Sequence, residues 1–203
     1  MIKTTPLPHW DPTRVPPADA RVFIGLWPTD ETVHAIQSVA AQTINMPEAR
    51  ALLPQHWHIT LAFIGAVMPE QWVHLYRGLA KKTVAVPATV PVDRFGFFEK
   101  ASVLWLGIDP CSTAYEQLQQ AHQDVWALLQ GLGLFPDNRN YQPHISLLRQ
   151  ANKDVLNHVG PLSSFNWQTH SLRLIVSLAN TQRSEYYQAA ILPLDYLQWP
   201  EKQ

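Results

Sequence analysis

Two tetrapeptides carry the chemistry legible in this chain: His58-Ile59-Thr60-Leu61 and His144-Ile145-Ser146-Leu147. Each reads imidazole, apolar, hydroxyl, apolar, and each lies in an apolar run with strand character. Alternate side chains of a strand share a face. His58 therefore projects with Thr60 and His144 with Ser146, while Ile59 and Ile145 turn into a core. Histidine titrates near pH 6.5 and can take or give a proton at neutral pH. A phosphodiester attacked by water needs one group to accept the water's proton and another to protonate the departing alkoxide. Donors must also meet the charged non-bridging oxygens, which the two hydroxyls supply. One such tetrapeptide is more often an ordinary half-buried histidine. Two in matching surroundings point to a duplicated half-site folded into one pocket.

The elements around them repeat. Arg21 to Trp27 reads as a buried strand closed by Pro28, followed by a helix capped by Thr29 or Asp30 with Val33, Ile36, Ala40 and Ile44 on one stripe. After a loop through Pro47 and Pro54, Trp57 to Ile64 forms the first motif strand, ended by Gly65. Pro69 opens a second helix with Trp72, Leu75 or Tyr76, and Leu79 inward. Val84 to Phe98, broken by Pro87 and Pro91, predicts edge or bent strands. Ser102 to Ile108 is a second buried strand. Thr113 with Glu116 reads as a capping box opening a helix, its apolar stripe being Tyr115, Leu118, Val125, Leu129 and Leu132. His144 to Leu148 is the second motif strand. A short helix is expected over 152–159, a strand over 171–178, and a last strand over 186–192, paired with it as a hairpin. Both halves thus read strand, helix, loop, histidine strand, helix, strands.

Composition narrows the class. The chain has 203 residues, 46% hydrophobic and 15% charged, enough for one substantial core or two small lobes packed as one unit. Residues 1–20 hold five of the 17 prolines and read as an extended N-terminal arm. Residues 21–203 are expected to form a single bilobal domain with one motif per lobe. No apolar run reaches membrane-span length, and residues 1–20 lack the apolar stretch of a secretory leader. The lone Cys111 fits a reducing compartment, so a cytoplasmic location is expected. The net charge of −1 excludes bulk electrostatic binding of long nucleic acid. Any nucleic acid must be held locally, at an end or in a groove. His56-x-His58 also has metal-ligand spacing, but Thr60 stands where a third ligand would, and no metal is expected.

The pattern resembles the two-histidine phosphoesterase superfamily, marked by two copies of His-x-(Thr/Ser)-x. It looks most like the bacterial RNA 2′,3′-cyclic phosphodiesterases, also called 2′-5′ RNA ligases. The resemblance runs over roughly residues 20–195. It includes Arg21 to Leu26, His58 to Gly65, Gly96-Phe97-Phe98 with Val103 to Gly107, and Tyr141-x-Pro143-His144-Ile145-Ser146-Leu147 with Arg149. Ser146 stands for the commoner Thr, and Gln142 for a usual basic residue. The resemblance implies an α/β (α+β) bilobal fold, with mainly antiparallel sheets lining a central cleft and helices outside. It implies metal- and cofactor-free opening of an RNA 3′-end 2′,3′-cyclic phosphate to a 2′-phosphate, with reversible 2′-5′ joining in some members. His58 would be the proton donor and His144 the acceptor. Arg149 is expected to contact phosphate, and Phe97 and Phe98 to offer stacking faces to a base. A monomer is expected.

Two other readings stay open at this point. The substrate is a small cyclic nucleotide and not RNA, or the chain is a module that binds a nucleotide or RNA end without turning it over.

Overall fold

The computed structural model describes residues 6–43, 49–136, 140–180 and 184–197. Ile44 and Pro47 lie outside them. The first buried strand is β1 (Arg21–Pro28), every residue of which after Arg21 is buried. A strand apolar on both faces belongs in the middle of a covered sheet. Here it pairs antiparallel with β3 (Ile59–Gly65) on one side and β9 (Phe165–Ala179) on the other. With β10 (Ser184–Leu192) beyond β9, the order is β10-β9-β1-β3. The second sheet is ordered β2-β8-β7-β6, from β2 (Arg50–Ala51), β8 (His144–Arg149), β7 (Val103–Gly107) and β6 (Arg94–Phe98).

The repeat is visible in these ladders. β1 and β7 are each followed by a helix, and each pairs antiparallel with the histidine strand of its own half. Helix α1 (Asp30–Thr43) begins where Thr29 Oγ1 accepts the Thr32 backbone N–H (3.3 Å) and buries Val33, Ile36 and Val39. Helix α2 (Pro69–Leu79) buries Trp72, Leu75 and Leu79, so Leu75 and not Tyr76 takes the inward position between them. Helix α3 (Thr113–Gln130) is capped one residue earlier than expected. Ser112 Oγ accepts the N–H of Tyr115 (3.2 Å), and Thr113 is the first helical residue. Ser112 serves because its own hydroxyl is anchored by donating to the Asp109 carbonyl (2.7 Å).

Three features depart from the sequence pattern. β9 is fifteen residues long, because its first residues, Phe165 to Gln168, pair with β5 (Thr89–Val92) before the rest joins β1 and β10. A final strand β11 (Leu194–Leu197) pairs parallel with β4 (Val84–Pro87). Both are four-residue, proline-flanked segments too short to show a period. The expected short helix shrinks to α4 (Val155–His158). The other ladders are antiparallel, giving a mixed α+β fold with mostly antiparallel sheets. Residues 6–20 lie along the body: Trp10 is buried, its N–H donates to the Gln188 carbonyl (2.9 Å), and Trp72 Nε1 donates to the Pro12 carbonyl (2.9 Å). No helix among the described residues is long and apolar enough to cross a membrane.

Candidate functional site

The two motif strands present the predicted faces. Ile59 and Leu61, like Ile145 and Leu147, are buried, whereas His58, Thr60, His144 and Ser146 are half-buried on the opposite side. The alternation then breaks at the same place in both. Along β1, Gly25 pairs with Thr60 and Ile24 with Ala62, which leaves Leu61 as an extra residue. Along β7, Trp105 pairs with Ser146 and Leu104 with Leu148, which leaves Leu147 extra. Each motif thus ends on a bulge, a device that re-aims the residues following it. In a regular strand the third residue after the hydroxyl faces away from it. After one bulged residue it faces the same way, so Phe63 and Arg149 both join the cleft.

Both imidazoles are held by one device. His58 Nδ1 donates to the carbonyl of His56 (2.6 Å) and His144 Nδ1 to the carbonyl of Gln142 (2.8 Å). A carbonyl can only accept, so each Nδ1 carries the proton and each Nε2 is left for the cleft. His58 Nε2 lies 3.1 Å from Thr60 Oγ1 and accepts its proton while the ring is neutral.

The walls are aromatic. The His58 ring packs against Phe23 and Trp27, both with centroids at 4.9 Å, and meets Tyr186 edge-on at 5.7 Å. Gly25 allows this, since a Cβ there would stand 3.2 Å from His58 Cδ2 and 3.1 Å from the Ile59 carbonyl. Arg173 lies over the same Trp27 ring at 5.2 Å. In the other half, His144 meets Phe98 edge-on at 4.8 Å and Trp105 at 6.1 Å. Trp105 covers Gly96, where any side chain would collide with the indole. Phe97 is turned away: it packs on the main core and does not line the cleft, so only Phe98 of the two phenylalanines reaches the site.

Burial sets the protonation. It pushes His58 down to about 3, helped by the neighbouring His144, His56 and Arg149, against the pull of the His56 carbonyl. Burial also lowers His144, with Arg149 adding to it. Both rings are therefore neutral at pH 7. A cavity of about 280 Å³ contains His58, Thr60, His144, Ser146, Arg149 and Tyr186, and one of about 510 Å³ shares the two hydroxyls, His144, Arg149 and Phe63 with it. Among the described residues their linings supply Arg21, Arg149 and Lys100 and no Asp or Glu. A chain of net charge −1 therefore presents a locally cationic cleft, suited to an anion. Arg149 also lies against the Tyr186 hydroxyl. No group of three or more His, Cys, Asp or Glu side chains among the described residues is arranged to hold a metal ion.

Sequence spacing located the histidines and hydroxyls, and the family resemblance pointed to Arg149, but both missed Phe63, Tyr186, Arg21 and Lys100. Phe63 was hidden by the bulge. Tyr186 and Arg21 reach the cleft only through the register of β10-β9-β1, which single-strand patterns do not encode.

The chain has relatives. It is 33% identical over 123 residues to an RNA 2′,3′-cyclic phosphodiesterase of Escherichia coli, a match covering 60% of this chain and 65% of that protein's length. It is 24% identical over 142 residues to one of Aquifex aeolicus, covering 66% and 72%. Among solved structures, E. coli LigT complexed with 3′-AMP superposes with a TM-score of 0.70 at 25% identity, over 86% of this chain and 97% of that one. A crystal structure described as a phosphoesterase gives 0.71 at 24% identity, over 87% and 98%. The family model of the 2′-5′ RNA ligase superfamily matches residues 24–181, and the chain belongs to that superfamily.

Proposed function

We propose that this protein opens RNA 2′,3′-cyclic phosphate ends to 2′-phosphomonoesters by acid–base catalysis between His58 and His144. The observation that carries the reading is the matched pair of imidazoles, each fixed by Nδ1 on a carbonyl two residues back and each with a hydroxyl two residues on. A binding module has no need of a matched acid and base. The names of the E. coli and A. aeolicus relatives and the 3′-AMP in the E. coli LigT structure support the same substrate class.

In this reading His144 Nε2 takes a proton from water as its oxygen bonds to phosphorus. The P–O3′ bond breaks and His58 Nε2–H protonates O3′, leaving a 2′-phosphate and a free 3′-hydroxyl. Thr60, Ser146 and Arg149 meet the non-bridging oxygens, where donors aimed at developing charge have most effect. Burial keeps His58 neutral, so the anionic phosphate must supply the charge that lets it hold a proton. A 5′-hydroxyl in place of water forms a 2′-5′ linkage by the same proton transfers. Phe63, exposed at the rim of both cavities, and Phe98 offer faces to the terminal base.

The test is incubation, with excess chelator, with an oligonucleotide ending in 2′,3′-cyclic phosphate and with a cyclic mononucleotide. A 2′-phosphate product, formed faster on the oligonucleotide, is the expected result. A 3′-phosphate product, or no turnover, overturns the reading. Turnover of the mononucleotide alone moves the substrate to small cyclic nucleotides.

A further inference from the structure

On α3, Tyr115, Gln119 and His122 are spaced to share one face, and that face reaches both motifs. β3 is the edge strand of its sheet, and its bulged residue Leu61 turns a carbonyl outward. His122 Nδ1 donates to that carbonyl at 2.6 Å. The His122 ring also lies flat on Tyr141, with centroids 4.0 Å apart and planes within 6°. Tyr141 comes three residues before His144, and α3 holds its backbone as well. Gln119 Nε2 donates to the Tyr141 carbonyl (3.3 Å), as does the Tyr115 hydroxyl (3.4 Å). The next carbonyl, that of Gln142, fixes the His144 ring. His122 thus contacts the residue after Thr60 on one side and the approach to His144 on the other.

We infer that His122 is a positioning residue that sets the separation of the two motif strands, an inference that rests on the function proposed above. The two half-sites belong to different sheets, and a single phosphate has to meet donors from both. A side chain that hydrogen-bonds one motif and stacks on the lead-in to the other, at the wall of the larger cavity, fixes their spacing. Its two contacts can be removed separately. His122→Phe keeps the stack and loses the donor. His122→Asn loses the ring but places an N–H where Nδ1–H stood.

The experiment measures kcat and KM of both variants on the cyclic-ended oligonucleotide, their melting temperatures, and binding of inorganic phosphate. His122→Phe is expected to lose about 10- to 100-fold in kcat with KM within about threefold, the usual effect of misplacing a group by roughly 1 Å. His122→Asn regains most of that loss, and both variants melt close to wild type. Wild-type kcat in His122→Phe overturns the inference, as do equal losses in both variants that track their melting temperatures. If the wild-type chain turns nothing over, the functional reading fails, and phosphate binding decides. Weakening of several-fold in His122→Phe but not in His122→Asn then supports the positioning role, and unchanged affinity overturns it.

Discussion

Leu61 and Leu147 occupy the same place in two different sheets: each is the bulged residue directly after the motif hydroxyl, and each is buried while its neighbours on the cleft side are not. Because the pleat has a period of two, one inserted residue exchanges the faces of everything beyond it. That exchange brings Phe63 and Arg149 onto the side of the histidines. The duplicated half-site is therefore six residues long, from histidine to the third residue past the hydroxyl, and its last member differs between the halves. One half supplies an aromatic face and the other a cation.

Arg149 is the cation shared by both cavities and should bind the phosphate directly. A hydrogen bond to a charged group contributes roughly 1.5–3 kcal/mol, so Arg149→Ala should lower kcat/KM by about 10- to 100-fold. Arg149→Lys should recover only part of this, having lost the planar fork. Steady-state kinetics on the cyclic-ended oligonucleotide checks both, and an Arg149→Ala variant with wild-type kcat/KM would remove the residue from the site.

The hydroxyls make a sharper case. Thr60→Ala and Ser146→Ala should each reduce kcat by roughly 10- to 1,000-fold, as loss of a transition-state donor does. Neither side chain is buried in the core, so calorimetric melting should stay close to wild type. Full activity in either variant would show that its hydroxyl does not meet the phosphate.

Stability should depend on pH in a direction set by the two depressed histidines. The unfolded chain's histidines bind protons near pH 6.5, whereas in the folded chain burial lowers both, His58 down to about 3. Between those values the unfolded state holds more protons, so acidification destabilises the fold, by up to about 1.4 kcal/mol per pH unit for His58, and His144 acts in the same direction. Urea midpoints should be level above about pH 7 and fall from there towards pH 5. Replacing His58 by Gln should flatten the slope. A wild-type midpoint that does not move over this range would show that the rings are solvated.

What the sequence made legible was local. The strand period, the Pro28 and Pro69 boundaries and the apolar stripes of α1, α2 and α3 follow from nearest neighbours along the chain. So does the pairing of each histidine with its hydroxyl. Phe63 was not legible, because a bulge is created by the partner strand and not by the residue it displaces. Phe97 and Phe98 could not be told apart from composition; the pairing of β6 with β7 sends one to the core and the other to His144. His122 carried no signal in the sequence, because its two contacts, Leu61 and Tyr141, lie far from it in the chain.

Anion binding should carry a proton with it. An oxyanion between the rings favours imidazolium, which raises the depressed histidines towards their ordinary range. Sulfate, which does not itself titrate near neutrality, should bind more tightly as pH falls from 8 to 6. Calorimetry in buffers of different ionisation heat should show proton uptake. Affinity independent of pH, with no proton uptake, would mean that the anion sits away from both rings.

The central claim is that His58 and His144 act as one acid–base unit, and the kinetic double-mutant cycle tests it most directly. His58→Ala and His144→Ala should each cost about 10²–10⁴ in kcat on the cyclic-ended oligonucleotide. Because one transition state uses both groups, the double variant should lose far less than the product of the two single losses. On a nitrophenyl phosphodiester, whose leaving group needs no proton, His58→Ala should be largely rescued and His144→Ala should not. Rescue of His144→Ala instead would exchange the two roles. Single losses that multiply in full, or a single variant that keeps wild-type activity, would contradict the two-histidine mechanism.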